Sequence, residues 1–142
     1  MSRIQLSANL YLDEYIPRHL YQGYTGREHI LIGLIDKRLI EADQKLRDYF
    51  GPVTINNWYS GGERNWSGLR TPGSEYYSAT SQHSFGRASD KIFKNASAEE
   101  VRQYITNHWK DLGITCIETD VSWVHSDVRY ILNQSSLLCV KP

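Results

Sequence analysis

Two histidines and a carboxylate stand out because each lies in a short, distinctive pattern. His83 and Asp90 belong to Ser-Gln-His-Ser-Phe-Gly-Arg-Ala-Ser-Asp at residues 81–90, and His125 belongs to Trp-Val-His-Ser-Asp at residues 123–127. Catalytic zinc sites use three protein ligands and leave a further position for water or substrate. Two neutral imidazoles and one carboxylate suit Zn²⁺ and leave it a net positive Lewis acid. The pattern therefore predicts a zinc site of the kind found in hydrolases.

The local sequence indicates how these side chains are brought together. Gly86 lies between His83 and Asp90 and favours a bend that returns the second ligand to the first. Alternation in residues 123–129 indicates a strand. One face of that strand would present Trp123, His125, Asp127 and Arg129. Such residue types are unusual in a core, so we interpret this face as the wall of a site.

The same motifs resemble those of the D-Ala-D-Ala carboxypeptidase family of zinc peptidases, and the phage-type branch is the most similar. Ser-x-His-x-x-Gly-x-Ala-x-Asp followed by Trp-x-His-x-Asp carries the resemblance. Ser67-Gly68-Leu69-Arg70 is similar to a Ser-Gly-x-Arg element that precedes the first ligand in that family. Residues 9–15 are similar to its opening segment, and residues 46–57 to its first long helix and the strand after it. The resemblance covers nearly the whole chain.

The resemblance implies a role for each matching position. His83, Asp90 and His125 would be the three ligands of Zn²⁺. Arg70 would hold the substrate or polarise the scissile carbonyl, as a fixed guanidinium can. Several branches of the family have a carboxylate three residues before the last histidine, where this chain has Ser122. The general base is therefore left open by the motif itself.

Three acidic residues are candidates for that base. Glu118 is favoured because similar phage sequences also have a glutamate before the Trp-x-His-x-Asp element. Asp120 and Asp127 are the alternatives, and Asp127 could instead orient a ligand or Arg129. In the implied reaction, the carboxylate takes a proton as water attacks the peptide carbonyl, and returns it to the leaving amine.

The resemblance also implies the substrate and the biological setting. The substrate would be a stem peptide or cross-link of bacterial peptidoglycan, cut by a D,D-carboxypeptidase or an endopeptidase reaction. The protein would be a phage endolysin or a virion component, made in the host cytoplasm and acting at the cell wall. The alternative is a non-catalytic virion protein that keeps the peptidase fold and the metal and binds other virion proteins.

Composition narrows the classes of partner. The 142 residues include 16 basic and 16 acidic side chains, so the formal net charge is zero and nothing favours nucleic acid binding. No apolar run approaches the roughly 20 residues that cross a bilayer. The N-terminus also lacks the pattern of a signal peptide. We expect one peptidase domain over residues 1–142, with no nucleic acid partner and no membrane insertion.

The periodicity predicts an α+β domain with an antiparallel sheet. A helical pattern covers residues 30–50 and stops at Gly51, and a capping box at Ser97 begins a second helix that stops at Gly113. The predicted strands are residues 53–59, 114–118, 123–132 and 137–140. The resemblance implies the Hedgehog/DD-peptidase-like form of this class, with helices packed on one side. The zinc site would lie on the sheet face, ringed by residues 60–90.

Overall fold

The computed structural model, which describes residues 3–142, contains one five-stranded sheet and three α-helices. The helices are α1 (Arg18–Gly23), α2 (Lys37–Phe50) and α3 (Ala98–Leu112). The strands are β1 (Val53–Thr54), β2 (Ala88–Phe93), β3 (Cys116–Glu118), β4 (Val124–Asp127) and β5 (Leu138–Val140). The chain is therefore an α+β protein, as predicted. Within residues 3–142, none of the helices has both the length and the apolar character needed to span a bilayer.

The sheet is mixed, with the strand order β1-β2-β4-β3-β5. The first three pairings in this order are antiparallel, whereas β5 runs parallel to β3, with Cys116 opposite Leu138. The prediction of an antiparallel sheet was thus wrong at its last strand. The reason is topological. Strand β4 ends beside the start of β3, with Asp127 opposite Cys116, and β2 occupies the other edge of β4. The chain that leaves β4 therefore joins the free edge of β3 at the end where β3 begins, so β5 runs parallel to β3.

The helix predicted over residues 30–50 divides into two segments. A 3-10 helix spans Glu28–Leu34, and α2 begins after Asp36, whose side chain caps its first turn. The backbone nitrogen of Asp36 donates a hydrogen bond to the carbonyl of Gly86 at 2.9 Å. The break therefore lies where this segment contacts the turn that carries His83. An apolar period alone does not distinguish one helix from two consecutive segments.

The second predicted helix is confirmed, whereas one strand was missed. Helix α3 has the capping box at Ser97 and ends at Gly113, which adopts the left-handed conformation with φ of 77°. Strand β2 has an aspartate and a lysine in its centre and is nevertheless buried along most of its length. Charged residues in a central strand conceal the apolar pattern by which strands are recognised. The other predicted strands are present but shorter, and residues 58–60 form a 3-10 turn.

Helices α2 and α3 pack against each other and against β2 and β4. The apolar cluster between them and the sheet consists of Ala42, Leu46, Phe93, Val101, Ile105, Leu112, Ile114, Ile117 and Val124. A second cluster joins the N-terminal segment to the start of α2 and consists of Leu10, Leu12, Tyr15, Ile16, Leu31, Ile35, Leu39, Ile40, Ile55, Leu69 and Val128. Side chains alternate along a strand. The neighbours of Val124 in β4 therefore point to the opposite face of the sheet.

Glu14 lies in an N-terminal 3-10 turn, and its carboxylate accepts a hydrogen bond from the backbone nitrogen of Tyr11 at 2.8 Å. Burial raises the pKa of Glu14 from 4.5 to about 7, and the hydrogen bond from Tyr11 offsets only part of this effect. Because the folded-state pKa is the higher one, the stability contributed by protonated Glu14 is complete below pH 4.5. That contribution is lost as the pH rises through 7.

We expect Glu14→Gln to raise the free energy of unfolding at pH 8 by about 1 to 2 kcal/mol, after allowance for partial solvent exposure. Glutamine keeps an acceptor for Tyr11 without placing a charge in the interior. At pH 4.5 the effect should be small. Denaturant titrations at both pH values measure the difference. Glu41→Gln on the exposed face of α2 is the control and should change neither value, and an equal gain at both pH values for Glu14→Gln would contradict the assignment.

Candidate metal centre

Three buried side chains converge on the sheet face opposite α2 and α3. Asp90 in β2 lies directly opposite His125 in β4, and His83 comes from a 3-10 turn at Gln82–Phe85. His83 Nε2 is 3.3 Å from Asp90 Oδ1, and His125 Nδ1 is 2.9 Å from the same oxygen. Zinc–ligand bonds of about 2.0 to 2.2 Å in a tetrahedron place ligand atoms roughly 3.3 Å apart. The three residues therefore form a group that could hold a metal ion.

The bend predicted between the first two ligands is present at Gly86. This glycine ends the 3-10 turn with φ of 67°, in the left-handed region that glycine favours. A Cβ atom at this position would also collide with the carbonyl oxygen of Leu34. The tight turn and the close backbone approach allow the chain to pass directly from His83 into β2, and so bring Asp90 beside it.

The Ser-Gly-x-Arg element holds two of the three residues of the cluster. The Ser67 carbonyl accepts a hydrogen bond from the backbone nitrogen of Asp90 at 2.7 Å, and the Gly68 carbonyl accepts one from His83 Nδ1 at 2.8 Å. Arg70 donates from its backbone nitrogen to the His83 carbonyl at 3.1 Å and from Nη2 to Asp90 Oδ2 at 3.0 Å. This element, which sequence reasoning singled out for Arg70, thus positions His83 and Asp90 through both backbone and side chain.

Hydrogen bonds also determine which nitrogen of each histidine is available as a ligand. The Gly68 carbonyl can only accept, so Nδ1 of His83 carries a proton, and Nε2 is the nitrogen that faces Asp90 and is available to a metal ion. His125 Nε2 lies 2.8 Å from Asp127 Oδ2. Asp127 in turn accepts two hydrogen bonds from the Arg129 guanidinium, at 2.8 and 2.7 Å. This fixed carboxylate favours a proton on Nε2 of His125 and leaves Nδ1 as the ligand atom, which is how metal-binding histidines are oriented.

The electrostatics of the cluster favour a positive charge among its members. Burial lowers the pKa of His125, but hydrogen bonds to Asp127 and Asp90 outweigh it and raise this pKa to about 9. Burial likewise raises the pKa of Asp90, but hydrogen bonds from His125 and His83 hold it well below its ordinary value. The pKa of Asp127 is also lowered, since Arg129 and His125 outweigh burial. A bound cation would replace the proton that His125 otherwise holds.

The three acidic candidates for the base have different surroundings. Glu118 Oε2 lies 3.8 Å from His125 Nδ1, and Glu118 lines the cavity above the ligands. Asp120 is exposed, with φ of 61°, and its Oδ2 lies 3.6 Å from Lys141 Nζ. Asp127 is fully buried behind His125. Of the three, Glu118 alone lines the cavity, and Asp127 has the ligand-orienting position.

A cavity of about 760 Å³ opens over the ligands, within the range of roughly 300 to 1,000 Å³ that is typical of ligand pockets. His83 and Asp90 contribute to its lining together with Arg70, and aromatic side chains of Tyr76 and Trp123 contribute to its walls. Trp123 lies at this face as the strand alternation predicted. The cavity gives a substrate access to the side of the cluster on which Glu118 lies.

Two contributors were missed by sequence reasoning. Arg64 donates from Nε to the Ile55 carbonyl at 2.8 Å and from Nη2 to the Asp90 carbonyl at 3.3 Å, which braces β2 beside its ligand. Tyr76 lies in the long loop, with the Arg70 guanidinium 5.6 Å from its ring centroid. Neither belongs to a periodic pattern or to a recognisable motif. Their positions depend on the path of the loop, and only the folded chain shows it.

Comparisons with known proteins do not assign the chain to a family, because no family model, no curated protein and no solved structure matches it. The resemblance carried by residues 67–70, 81–90 and 123–127 therefore stays an expectation drawn from the motifs.

We expect Asp127→Asn to weaken zinc binding about 10- to 100-fold. The amide would accept the hydrogen bond from His125 less strongly and would lose one of the two bonds from Arg129. Competition titration against a chromophoric zinc chelator measures the affinity, with circular dichroism as the check on folding. Asp120→Asn is the matched control and should bind zinc like the wild type. Unchanged affinity in Asp127→Asn would show that this carboxylate does not orient a ligand.

Proposed function

We propose that this protein is a zinc-dependent peptidase that hydrolyses stem peptides or cross-links of bacterial peptidoglycan. The observation that carries the proposal is the convergence of His83 Nε2, Asp90 Oδ1 and His125 Nδ1 beside an open cavity. The substrate class rests on the resemblance of the motifs to phage-type D-Ala-D-Ala carboxypeptidases. A phage endolysin or a wall-degrading virion component, acting at the cell wall, is the setting that this resemblance favours.

The donor set fits Zn²⁺. Two imidazole nitrogens and one carboxylate oxygen are ligands that zinc takes in hydrolases, and the cavity leaves room for water or substrate. The side chains that line the cavity include four carboxylates and two guanidiniums, so the cavity attracts a cation. A zinc ion held there would polarise a substrate carbonyl and lower the pKa of a water molecule.

Glu118 is the residue that we assign to proton transfer. Its carboxylate is on the cavity side of His125, where a water attacking a bound peptide would pass. It takes a proton from that water as the new bond to the carbonyl carbon forms. It then gives the proton to the amine nitrogen as the carbon–nitrogen bond breaks. The carboxylate of Glu118 is thereby restored, and the products are a carboxylic acid and an amine.

Arg70 serves as both a support and a donor in this proposal. Its Nε donates to the Trp66 carbonyl at 2.8 Å and its Nη2 to Asp90 Oδ2 at 3.0 Å, which fixes the plane of the guanidinium. A guanidinium has five N–H donors. The N–H groups of Arg70 that are not used in these two bonds can bind the carbonyl oxygen as it gains negative charge, or a carboxylate of the substrate.

A non-catalytic virion protein with this fold is the second candidate function. The exposure of several large apolar side chains outside the cavity favours it, because exposed apolar surface is typical of protein interfaces. Leu132 is 91% exposed, Phe85 50% and Ile30 49%. In that role the cluster would hold a metal for stability, and the apolar residues would contact other virion proteins.

Metal content and hydrolysis, measured together on the wild type and on His125→Ala, test the proposal. We expect one zinc per chain and turnover of peptidoglycan in the wild type, and the loss of both in His125→Ala. His108→Ala, at an exposed position on α3, is the control. Zinc without turnover on several wall types would favour the virion protein. The absence of zinc from the wild type would refute the metal centre.

Glu118→Gln tests the assignment of the base separately. We expect kcat to fall at least about 100-fold, because general acid–base catalysis contributes roughly 10² to 10⁴ in rate. Zinc content should stay at the wild-type level, since Glu118 is not one of the three ligands. Asp120→Asn is the control and should retain full activity. If Glu118→Gln turns over like the wild type, the base is another group.

A further inference from the structure

A buried polar network lies on the other face of the sheet, directly behind the ligands. Lys91 and Asp43 are 0% and 1% exposed, and Lys91 Nζ is 3.3 Å from Asp43 Oδ1. Lys91 Nζ also donates to Ser126 Oγ at 2.6 Å and to the Ser89 carbonyl at 3.1 Å. Asp43 Oδ2 accepts from Ser89 Oγ at 2.7 Å and from the Tyr15 hydroxyl at 2.8 Å. The network therefore joins α2 to β2 and β4.

Residues of this network alternate along the strands with the ligands. Ser89 and Lys91 flank Asp90, and Ser126 follows His125. Ser89 is paired with Ser126 in the same register that pairs Asp90 with His125. Successive side chains of a strand point to opposite faces, and a slip of one residue exchanges the faces. Bonds between network residues behind the sheet thus fix the two ligands in front of it.

The network also reaches the third ligand through Tyr15. The Tyr15 carbonyl accepts a hydrogen bond from the backbone nitrogen of Leu69 at 2.8 Å. Gly68 lies so close to the Tyr15 backbone that a Cβ atom would collide with it. The Gly68 carbonyl is the acceptor that orients His83. The hydrogen bond between Tyr15 and Asp43 therefore supports the backbone on which the His83 side chain depends.

Stability alone explains this ion pair poorly. Burying two charges carries a large desolvation penalty, and apolar residues of similar volume are often as stable or more so. Among the residues that the structure describes, Asp43 Oδ1 makes no hydrogen bond of good geometry, although Lys91 Nζ is close. Buried ionic groups can instead serve to specify one arrangement of the chain.

We propose that Lys91 and Asp43 are positioning residues of the metal centre, and that their pairing sets its affinity for the metal by holding all three ligands in register. The inference rests on the proposed metal site. Neither residue lines the cavity. They act through Ser126, Ser89 and Tyr15 and take no part in the reaction itself.

The double substitution Asp43→Asn with Lys91→Met tests this role. The introduced asparagine keeps an acceptor for Tyr15 and Ser89, and the methionine fills the volume of the lysine, but the bond to Ser126 is lost. We expect a folded protein whose zinc dissociation constant is raised at least about tenfold, as on loss of residues that orient ligands. The visible absorption spectrum of the Co²⁺-loaded protein should change as well, because it reports the geometry of the ligands.

Ile105→Val in α3 is the control for a general loss of stability, because Ile105 is fully buried in the cluster between helices and sheet. It should lower the free energy of unfolding and leave the zinc affinity and the cobalt spectrum unchanged. Ser126→Ala removes a single bond of the network and provides the test if the double variant fails to fold. It should weaken zinc binding several-fold.

The positioning role would be overturned if the folded double variant bound zinc with wild-type affinity and kept the wild-type cobalt spectrum. If the double variant does not fold, the same result for Ser126→Ala would overturn it. A change of equal size in Ile105→Val would also overturn it. If the wild type binds neither metal, the proposed function fails and this inference fails with it. A loss confined to the network variants supports the inference whether or not the protein hydrolyses peptidoglycan.

Discussion

The pairing of β2 with β4 is the constraint on which the rest of the site depends. It places Asp90 opposite His125 on one face and Ser89 opposite Ser126 on the other. Central strands usually bury apolar side chains, and this pair instead buries polar groups on both faces. Such groups are tolerated only when they have partners. The partners on the two faces are different in kind: in front, Asp90 and His125 are hydrogen-bonded to each other, and behind, Lys91 is paired with Asp43 of α2.

Three carboxylates, two that line the cavity and one buried behind His125, differ in their partners. Burial raises the pKa of both Asp90 and Asp127, but hydrogen bonds from the two histidines outweigh it at Asp90, and those from Arg129 and His125 outweigh it at Asp127. Salt bridges to Arg70 and Arg129 fix the orientation of the two carboxylates. Within residues 3–142, Glu118 makes no ion pair with an arginine, and its near neighbour is a ligand histidine. Carboxyl groups in unlike surroundings can take unlike roles. Asp90 is suited to holding a metal ion and Asp127 to orienting His125, whereas Glu118 is suited to exchanging a proton.

The sequence was sufficient to find the three residues that cluster, but not the strand that carries one of them. His83, Asp90 and His125 were recognisable because each lies in a motif, whereas β2 was concealed by Lys91, whose burial depends on a helix remote in sequence. Sequence reasoning favoured Glu118 but kept Asp120 as an alternative, and the structure separates the two side chains for a local reason. Glu118 and Asp120 would share a face in a continuing strand. The strand ends at Glu118, and a positive φ at Asp120 turns that side chain to the surface.

The three residues of the cluster are anchored in different parts of the hydrophobic core, so a metal ion held by them would couple its binding to folding. His83 is hydrogen-bonded to the carbonyl of Gly68, and Gly68 packs against the backbone of Tyr15, which belongs to the N-terminal cluster. The strands with the other two ligands pack under α3 in the second cluster. A metal ion bound to all three would bridge the two clusters at the front of the sheet, as Asp43 does behind it. Because a ligand that binds only the native state stabilises it, an ion held in this way would oppose separation of the two clusters.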